Sequence, residues 1–582
     1  MAGAVAGGTI AAARDSFRAP ARSVQLGAPP LSRLPAAGVK SQTEIELKFL
    51  VPQAARAGVA AELARGSTAL DRTSLLAMYL DTDDRRLAQA GMAWRLRREG
   101  RRWIQTLKGG GSNALERFEH EAIRPDACAD ASAHAGTPLG SQLIALLRRA
   151  RSDGLEPGVR FRAEIRRTAR RIRTHGAVVV VAFDEGRLVS ASASQRIREI
   201  EFELVSGSPT AMLGLAERWR KRFALIYDPR SKAERGDRLA DGAFPPPRKA
   251  GWPSYLDDAT ATEAFGVVLG ECLAQITRNA IGLIDGDPAQ RVEHVHQLRV
   301  GIRRLRTALR SFRGWAPAPP VELVDGLRSL FTTLGLCRDS DVLTSGVVAE
   351  LTKVGAPPLK PPSGPAGPDA ADAVRAADTQ RILLAWIAWR ADLAPAPVDA
   401  AEALEAELPT KKRHAARCVG KAETGTSHGK SPNPGSPLAD TGPGPAATED
   451  PPTFRRNVER RLRRWHARIV SDWKAFDDLD DAGLHALRKR IKRQRYAFEF
   501  FAPLLHRRQV ERYLDALTAV QDRMGMLNDL FVARTRYQTL AARDPAAWFA
   551  LGWLAARIVE LRALAKPELA RLAKADPSAL RT

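Results

Sequence analysis

Between Thr43 and Val205 apolar and polar residues alternate in short runs, whereas beyond Thr260 apolar residues recur every three or four positions. Period two marks strands and period 3.6 marks helices. Strand-like runs fall at Thr43–Val51, Leu75–Asp81, Met92–Arg98, Arg102–Lys108, Arg117–Ile123, Arg160–Arg173, Val178–Asp184 and Arg198–Val205. They predict an α+β domain over residues 42–242, built on an eight-stranded antiparallel β-barrel. A proline-rich linker, 243–256, leads to an all-α helical bundle over 257–575. An insert at about 406–453, rich in Pro, Gly, Ser and Thr, interrupts the bundle and reads as a disordered loop, as does the shorter Pro357–Pro368. Residues 1–41, in which Asp15 is the only acid, read as a disordered basic extension.

The helical half is duplicated. Val295-His296-Gln297-Leu298-Arg299 and the basic residues after it recur 189 residues later from Leu484, and Phe312 falls on Phe501. A second block, Leu334–Asp339, recurs at Met524–Asp529. In the first copy His296, Arg299, Arg303, Arg306 and Arg310 share one helical face, beside an apolar stripe of Leu298, Ile302, Leu305, Leu309 and Phe312. The second copy offers His485, Arg488, Lys492 and Arg495. A basic face on one helix is an ordinary solvated surface; the same face on two copies predicts a shared anion groove.

Charge changes the picture further. Lys and Arg number 90 against 66 Asp and Glu, a net charge of +24, which points to a polyanionic partner. Only 6% of residues are aromatic, few stacking platforms for single-stranded nucleic acid, so inorganic polyphosphate is favoured over nucleic acid. Four scattered cysteines fit a reducing, cytoplasmic location, and no apolar run reaches the roughly 18 residues of a membrane span.

In the strand region the polar positions are charged, and of both signs. Candidates for a barrel interior are Glu44, Glu46 and Lys48, then Arg95 and Arg97, Lys108, Arg117, Glu119 and Glu121, Arg166, Asp184, Glu199, Glu201 and Glu203, and finally Lys232. On any single strand such a face belongs in solvent. Repeated along successive strands, it predicts a lumen for a highly charged guest, with cations for phosphate oxygens and carboxylates for a hard divalent ion.

These residues carry a resemblance. Glu44-Ile45-Glu46-Leu47-Lys48, Tyr79-Leu80-Asp81-Thr82, Trp94-Arg95-Leu96-Arg97, Thr106-Leu107-Lys108-Gly109, Phe183-Asp184-Glu185-Gly186, Glu199–Glu203 and Ser231–Gly236 resemble, in order, the motifs of the CYTH or triphosphate tunnel metalloenzyme superfamily. The resemblance implies a tunnel that binds a triphosphate with Mg²⁺ or Mn²⁺. Lys48, Arg95, Arg97, Lys108, Arg166 and Lys232 would grip phosphates, and Glu44, Glu46, Asp184, Glu201 and Glu203 would place the metal. The duplicated half resembles the CHAD domain, on His296, Arg299, Arg303–Arg306, the second copy and Cys337–Val342. That resemblance implies polyphosphate binding on the two basic faces, with polyphosphate granules as a candidate association. The reading favoured is an inorganic triphosphatase that cleaves tripolyphosphate to pyrophosphate and phosphate. Thiamine or nucleoside triphosphate hydrolysis, adenylate cyclisation and a non-catalytic polyphosphate-binding protein stand as alternatives.

Overall fold

The structure, a computed structural model, describes residues 40–65, 70–109, 116–342, 347–357, 369–393, 451–575 and 577, with side chains at all of these except 40–44, 116–117, 337–342 and 451–452. The expected extension up to residue 39, most of Pro357–Pro368, the insert up to residue 450 and the side chains of Glu44, Arg117 and Cys337–Val342 lie outside the described residues.

Nine strands form one antiparallel sheet: β1 Lys40–Leu50, β2 Asp71–Asp81, β3 Met92–Glu99, β4 Arg102–Gly109, β5 Glu116–Arg124, β6 Gly158–Thr174, β7 Ala177–Ser190, β8 Ser194–Gly207 and β9 Ile226–Tyr227. Their order is β5-β4-β3-β2-β6-β7-β8-β1-β9. Lys40–Ile45 of β1 pair with β5, and Glu46–Leu50 pair with β8, so the sheet's two ends meet along one strand by a stagger. The expected eight strands are therefore present, and β9 is a two-residue addition beside the end of β1.

The pleat sorts each strand into two faces. Leu47 and Phe49 of β1 and Ile200 and Phe202 of β8 turn outward into an apolar cluster with Trp219 and Phe223 of the Pro209–Phe223 helix. Phe49 and Phe202 meet edge to face at 5.8 Å. Their neighbours Glu46, Lys48, Glu201 and Glu203 consequently turn inward.

In the helical half, the predicted stripes are the core. Leu298, Ile302, Leu305 and Phe312 of the first basic helix (Arg291–Ser311 and its cap) are buried, as are Leu487, Ile491, Phe498 and Phe501 of the second (Asp481–Phe501). The repeat-equivalent rings of Phe312 and Phe501 pack on each other, 5.0 Å between centroids. Such a contact between equivalent residues places a local two-fold relation between the copies. The preceding helix, Ala261–Asp285, opens with a capping box between Thr260 and Glu263. It is long and apolar enough to cross a membrane, yet Phe265, Val268, Leu269 and Ile276 are buried in the helical core.

The two halves are in direct contact. Leu384 and Ile387 of the Ala377–Asp392 helix complete the tunnel half's outer apolar cluster. Tyr227 N donates to Gln380 Oε1 at 2.9 Å, and Thr210 Oγ1 donates to Asp392 at 2.8 Å. The linker is fastened too, with Tyr255 Oη donating to Phe500 O at 2.8 Å.

Candidate active site

The inward faces of the strands enclose a cavity of about 330 Å³. Glu46, Lys48, Arg95, Arg97, Lys108, Asp184, Glu201, Glu203 and Lys232 all line it, so the structure gathers nine of the eleven expected tunnel residues. Glu44 follows the same parity on β1, but its side chain lies outside the described residues.

Arg166 is a correction. It is exposed on the outer face of β6, opposite Ser74 and Glu185. The inward positions of that strand are Ala163, Ile165 and Arg167. Charge alternation misleads here because Arg162, Glu164 and Arg166 form the outer stripe of β6, while the lumen side is mostly apolar. Arg167 takes the interior role. Its Nε and Nη2 donate to the two oxygens of Asp184, both at 2.7 Å, and Nη2 reaches Glu201 at 2.5 Å.

Lys232 enters from outside the sheet. It stands at the start of the Lys232–Ala240 helix, which Ser231 caps by accepting from Glu234 N at 3.1 Å. Ala233 and Leu239 seat this helix on inward-facing Phe161, Leu188 and Ile197. Gly236 allows the fit, since a Cβ there would stand 2.0 Å from the Phe161 ring. Gly186 does the same within the sheet, where a Cβ would meet Glu164 O at 1.9 Å. Seated in this way, Lys232 Nζ lies 2.7 Å from Asp184 and 2.9 Å from Glu201, and pairs also with Glu199.

Oxygens of Asp184, Glu199 and Glu201 lie within 4.8 Å of one another, a compact set of hard donors of the kind a divalent ion takes. Burial penalises charge on Glu201, but Lys232, Arg167 and Lys48 outweigh it and hold the carboxyl well below its ordinary pKa. Burial likewise disfavours the Lys232 ammonium, and Asp184, Glu199 and Glu201 more than offset it. Glu203 differs: burial raises its carboxyl against the pull of Lys108. Glu46 stands opposite Glu203 across the β1–β8 ladder.

The other wall is cationic. Lys108 pairs with Glu119 at 2.9 Å, Arg95 with Glu119 at 3.4 Å, and Arg97 with Glu121 at 3.4 Å and Glu99 at 2.6 Å. Burial, then Arg95, pushes the Arg97 guanidinium below its ordinary pKa. The buried Nε donors of Arg95 and Arg97 have no hydrogen-bond partner among the described residues. A guest with many acceptor oxygens would satisfy both and relieve the repulsion.

Two further residues extend the site. Arg235 Nη1 donates to Glu199 at 2.8 Å and lies 4.0 Å from Asp228. Arg230 then bonds Asp228 at 2.8 Å and Asp285, in the helical half, at 2.7 Å. Ion pairs thus run without a break from Asp184 in the tunnel to the Ala261–Asp285 helix. Arg235 lies in the Ser231–Gly236 motif, but its partner Glu199 is 36 residues away, and no local pattern announces the pair.

In the helical half, the basic faces are half-buried or exposed beside the core. Burial, then Arg310, Arg328 and Arg303, lowers the Arg306 guanidinium, and burial, then Arg310, Arg490 and Arg468, lowers that of Arg493. Arg310 of one copy therefore presses on Arg493 of the other. Arg299 and Arg303 also lie over the Phe331 ring, at 4.3 and 5.8 Å. The two duplicated sequence blocks meet in the second copy, where His485 Nδ1 is 3.0 Å from Asn528 Oδ1. Arg495 is partly committed to Glu499, at 3.1 Å.

This is a cavity lined by charges of both signs with a duplicated basic bundle attached. Residues 42–236 match the family model of the CYTH domain, and residues 267–538 match that of the CHAD domain. The chain is thus a CYTH domain followed by a CHAD domain. It is 28% identical over 224 residues to an inorganic triphosphatase of Haemophilus influenzae, a match spanning 37% of this chain and 60% of that relative's length. Among solved structures, the CHAD domain of the plant Ricinus communis is 26% identical, with a TM-score of 0.38, covering 58% of this chain and 99% of its own. A Hippeastrum protein, whose structure is described as revealing a dominant triphosphatase activity, is 17% identical, with a TM-score of 0.25, covering 34% of this chain and 96% of its own.

Proposed function

We propose that the tunnel hydrolyses inorganic tripolyphosphate to pyrophosphate and phosphate with the help of Mg²⁺ or Mn²⁺. One observation carries this reading: the Arg95 and Arg97 Nε donors, unpartnered among the described residues, line one small cavity with the Asp184 and Glu201 carboxylates, which buried Glu199 joins from behind. Lys48, Arg95, Arg97 and Lys108 bind the phosphate oxygens and stabilise charge as the phosphoryl group transfers. Asp184, Glu199 and Glu201, with Glu46 and Glu203, would hold the ion. When bound, a divalent ion offsets phosphate charge and lowers the pKa of a coordinated water. Arg167 and Lys232 keep the carboxylates ionised and fixed in place. The sequence shows no evident base-recognition motif, which leans toward an inorganic substrate over a nucleotide.

Purified protein incubated with tripolyphosphate, ATP and thiamine triphosphate, with and without Mg²⁺ or Mn²⁺, is expected to release phosphate from tripolyphosphate fastest and only with metal. Absence of metal-dependent turnover would sink the enzyme reading.

The helical half, in the same reading, binds inorganic polyphosphate along its paired basic faces. Mutual repulsion among Arg303, Arg306, Arg310 and Arg493 is what a polyanion relieves. The double change Arg303→Glu, Lys492→Glu is expected to weaken retention on immobilised long-chain polyphosphate about tenfold or more, leaving tripolyphosphate cleavage within about twofold.

A further inference from the structure

The tunnel has a larger neighbour. A cleft of about 790 Å³ lies between its mouth and the helical half. Tyr79, Ala93, Lys108, Ser231 and Ala233 line both cavities, so the two lie side by side. On the tunnel side the cleft wall is the strand ends around that mouth. On the other side it is Thr277 and Arg278 of the Ala261–Asp285 helix and the linker run Pro245–Lys249.

The cleft is built for negative charge. Eight basic side chains line it against three carboxylates; the three are occupied, and six of the eight cations are themselves in ion pairs. Asp81 accepts from the backbone of Thr82, Leu87 and Ala88 at 2.7 to 2.9 Å. Asp237 is held by Arg85 and Arg160, and Glu234 by Arg278. Arg238 and Lys249, by contrast, line the cleft with no ion pair among the described residues. Its volume is more than twice that of the tunnel, about 790 against 330 Å³, room for a guest longer than the one the tunnel holds.

We propose that this cleft is a second phosphate site, which holds the body of a linear polyphosphate longer than three units while its end lies in the tunnel. The chain then trims polyphosphate from its terminus. Water attacks the terminal phosphorus, the terminal P–O–P bond breaks, inorganic phosphate leaves, and the shortened chain keeps the bridging oxygen. Arg238 and Lys249 bind the chain body and touch no reacting atom. This substrate class rests on the triphosphatase reading above.

The test compares the full chain with its Arg238→Glu, Lys249→Glu double variant. Phosphate release is followed with Mg²⁺ from tripolyphosphate, ATP and linear polyphosphate of about ten units. Direct binding of the ten-unit chain is measured by calorimetry without turnover. The expected result is a rise of about tenfold in KM and Kd for the longer chain, with kcat and KM for tripolyphosphate unchanged. Equal treatment of both chain lengths by the variant would overturn the proposal. So would a wild-type protein that cleaves tripolyphosphate but never releases phosphate from longer chains. A defect confined to ATP would overturn it in favour of a nucleotide site. Failure of the wild type on tripolyphosphate itself would remove the triphosphatase reading together with this one.

Discussion

Replacing Lys232 by methionine is expected to lower tripolyphosphate turnover by about 10²–10³-fold, the range seen when one preorganised charge is removed from a reaction site. Its Nζ is bonded to Asp184 and Glu201 and pairs with Glu199. Arg167 would remain beside the first two, Lys48 within the field of Glu201, and Arg235 beside the third. Truncating one partner of such a buried group costs about 3–5 kcal/mol. The metal-free variant should therefore melt well below the wild type. A divalent ion can supply the missing positive charge, so added Mg²⁺ should restore more of the melting temperature in the variant than in the wild type. Thermal unfolding with and without Mg²⁺, beside steady-state turnover, reads both effects. Unchanged turnover would remove Lys232 from the site, and an equal Mg²⁺ response would remove the carboxylate trio as an ion-holding set.

The second large effect separates two adjacent arginines. Arg167→Ala removes the fork that clamps Asp184 and reaches Glu201, and should cost about 10²-fold or more in kcat/KM. Arg166→Ala changes an exposed side chain on the opposite face and should stay within about twofold. Parallel kinetics on the two variants measure the register of β6 directly. A larger loss from Arg166→Ala would mean that the strand faces the other way.

That pair marks the limit of what alternation reveals. On β1, β3 and β8 the charged stripe is the lumen stripe, because the neutral neighbours Leu47, Phe49, Trp94, Leu96, Ile200 and Phe202 have helices or other apolar side chains to pack against outside. On β6 both faces carry charge, and the lumen side holds Ala163 and Ile165 because the Lys232–Ala240 helix packs into that end of the tunnel. Period two tells a reader that a strand has two faces; what covers each face decides which is inside. The helical stripes were easier to read, since a buried apolar face at period 3.6 has one interpretation, and Leu298, Ile302, Leu487 and Ile491 are all core. Contacts between the halves were not legible at all. Gln380 meets Tyr227 across 153 residues, and nothing near either residue in sequence encodes that meeting.

The unbroken run of ion pairs from Asp184 through Lys232, Glu199, Arg235, Asp228 and Arg230 to Asp285 has a consequence for how this protein can be inherited and handled. Removing the helical half would strip Arg230 of one carboxylate and uncover the side of the Pro209–Phe223 helix and β9 on which the Ala377–Asp392 helix, with Leu384 and Ile387, now sits. Neither half is a cassette that recombination can exchange freely, because a foreign helical half must also bring counterparts of Asp285, Gln380 and Leu384. Nicking the linker should likewise leave two polypeptides that travel together.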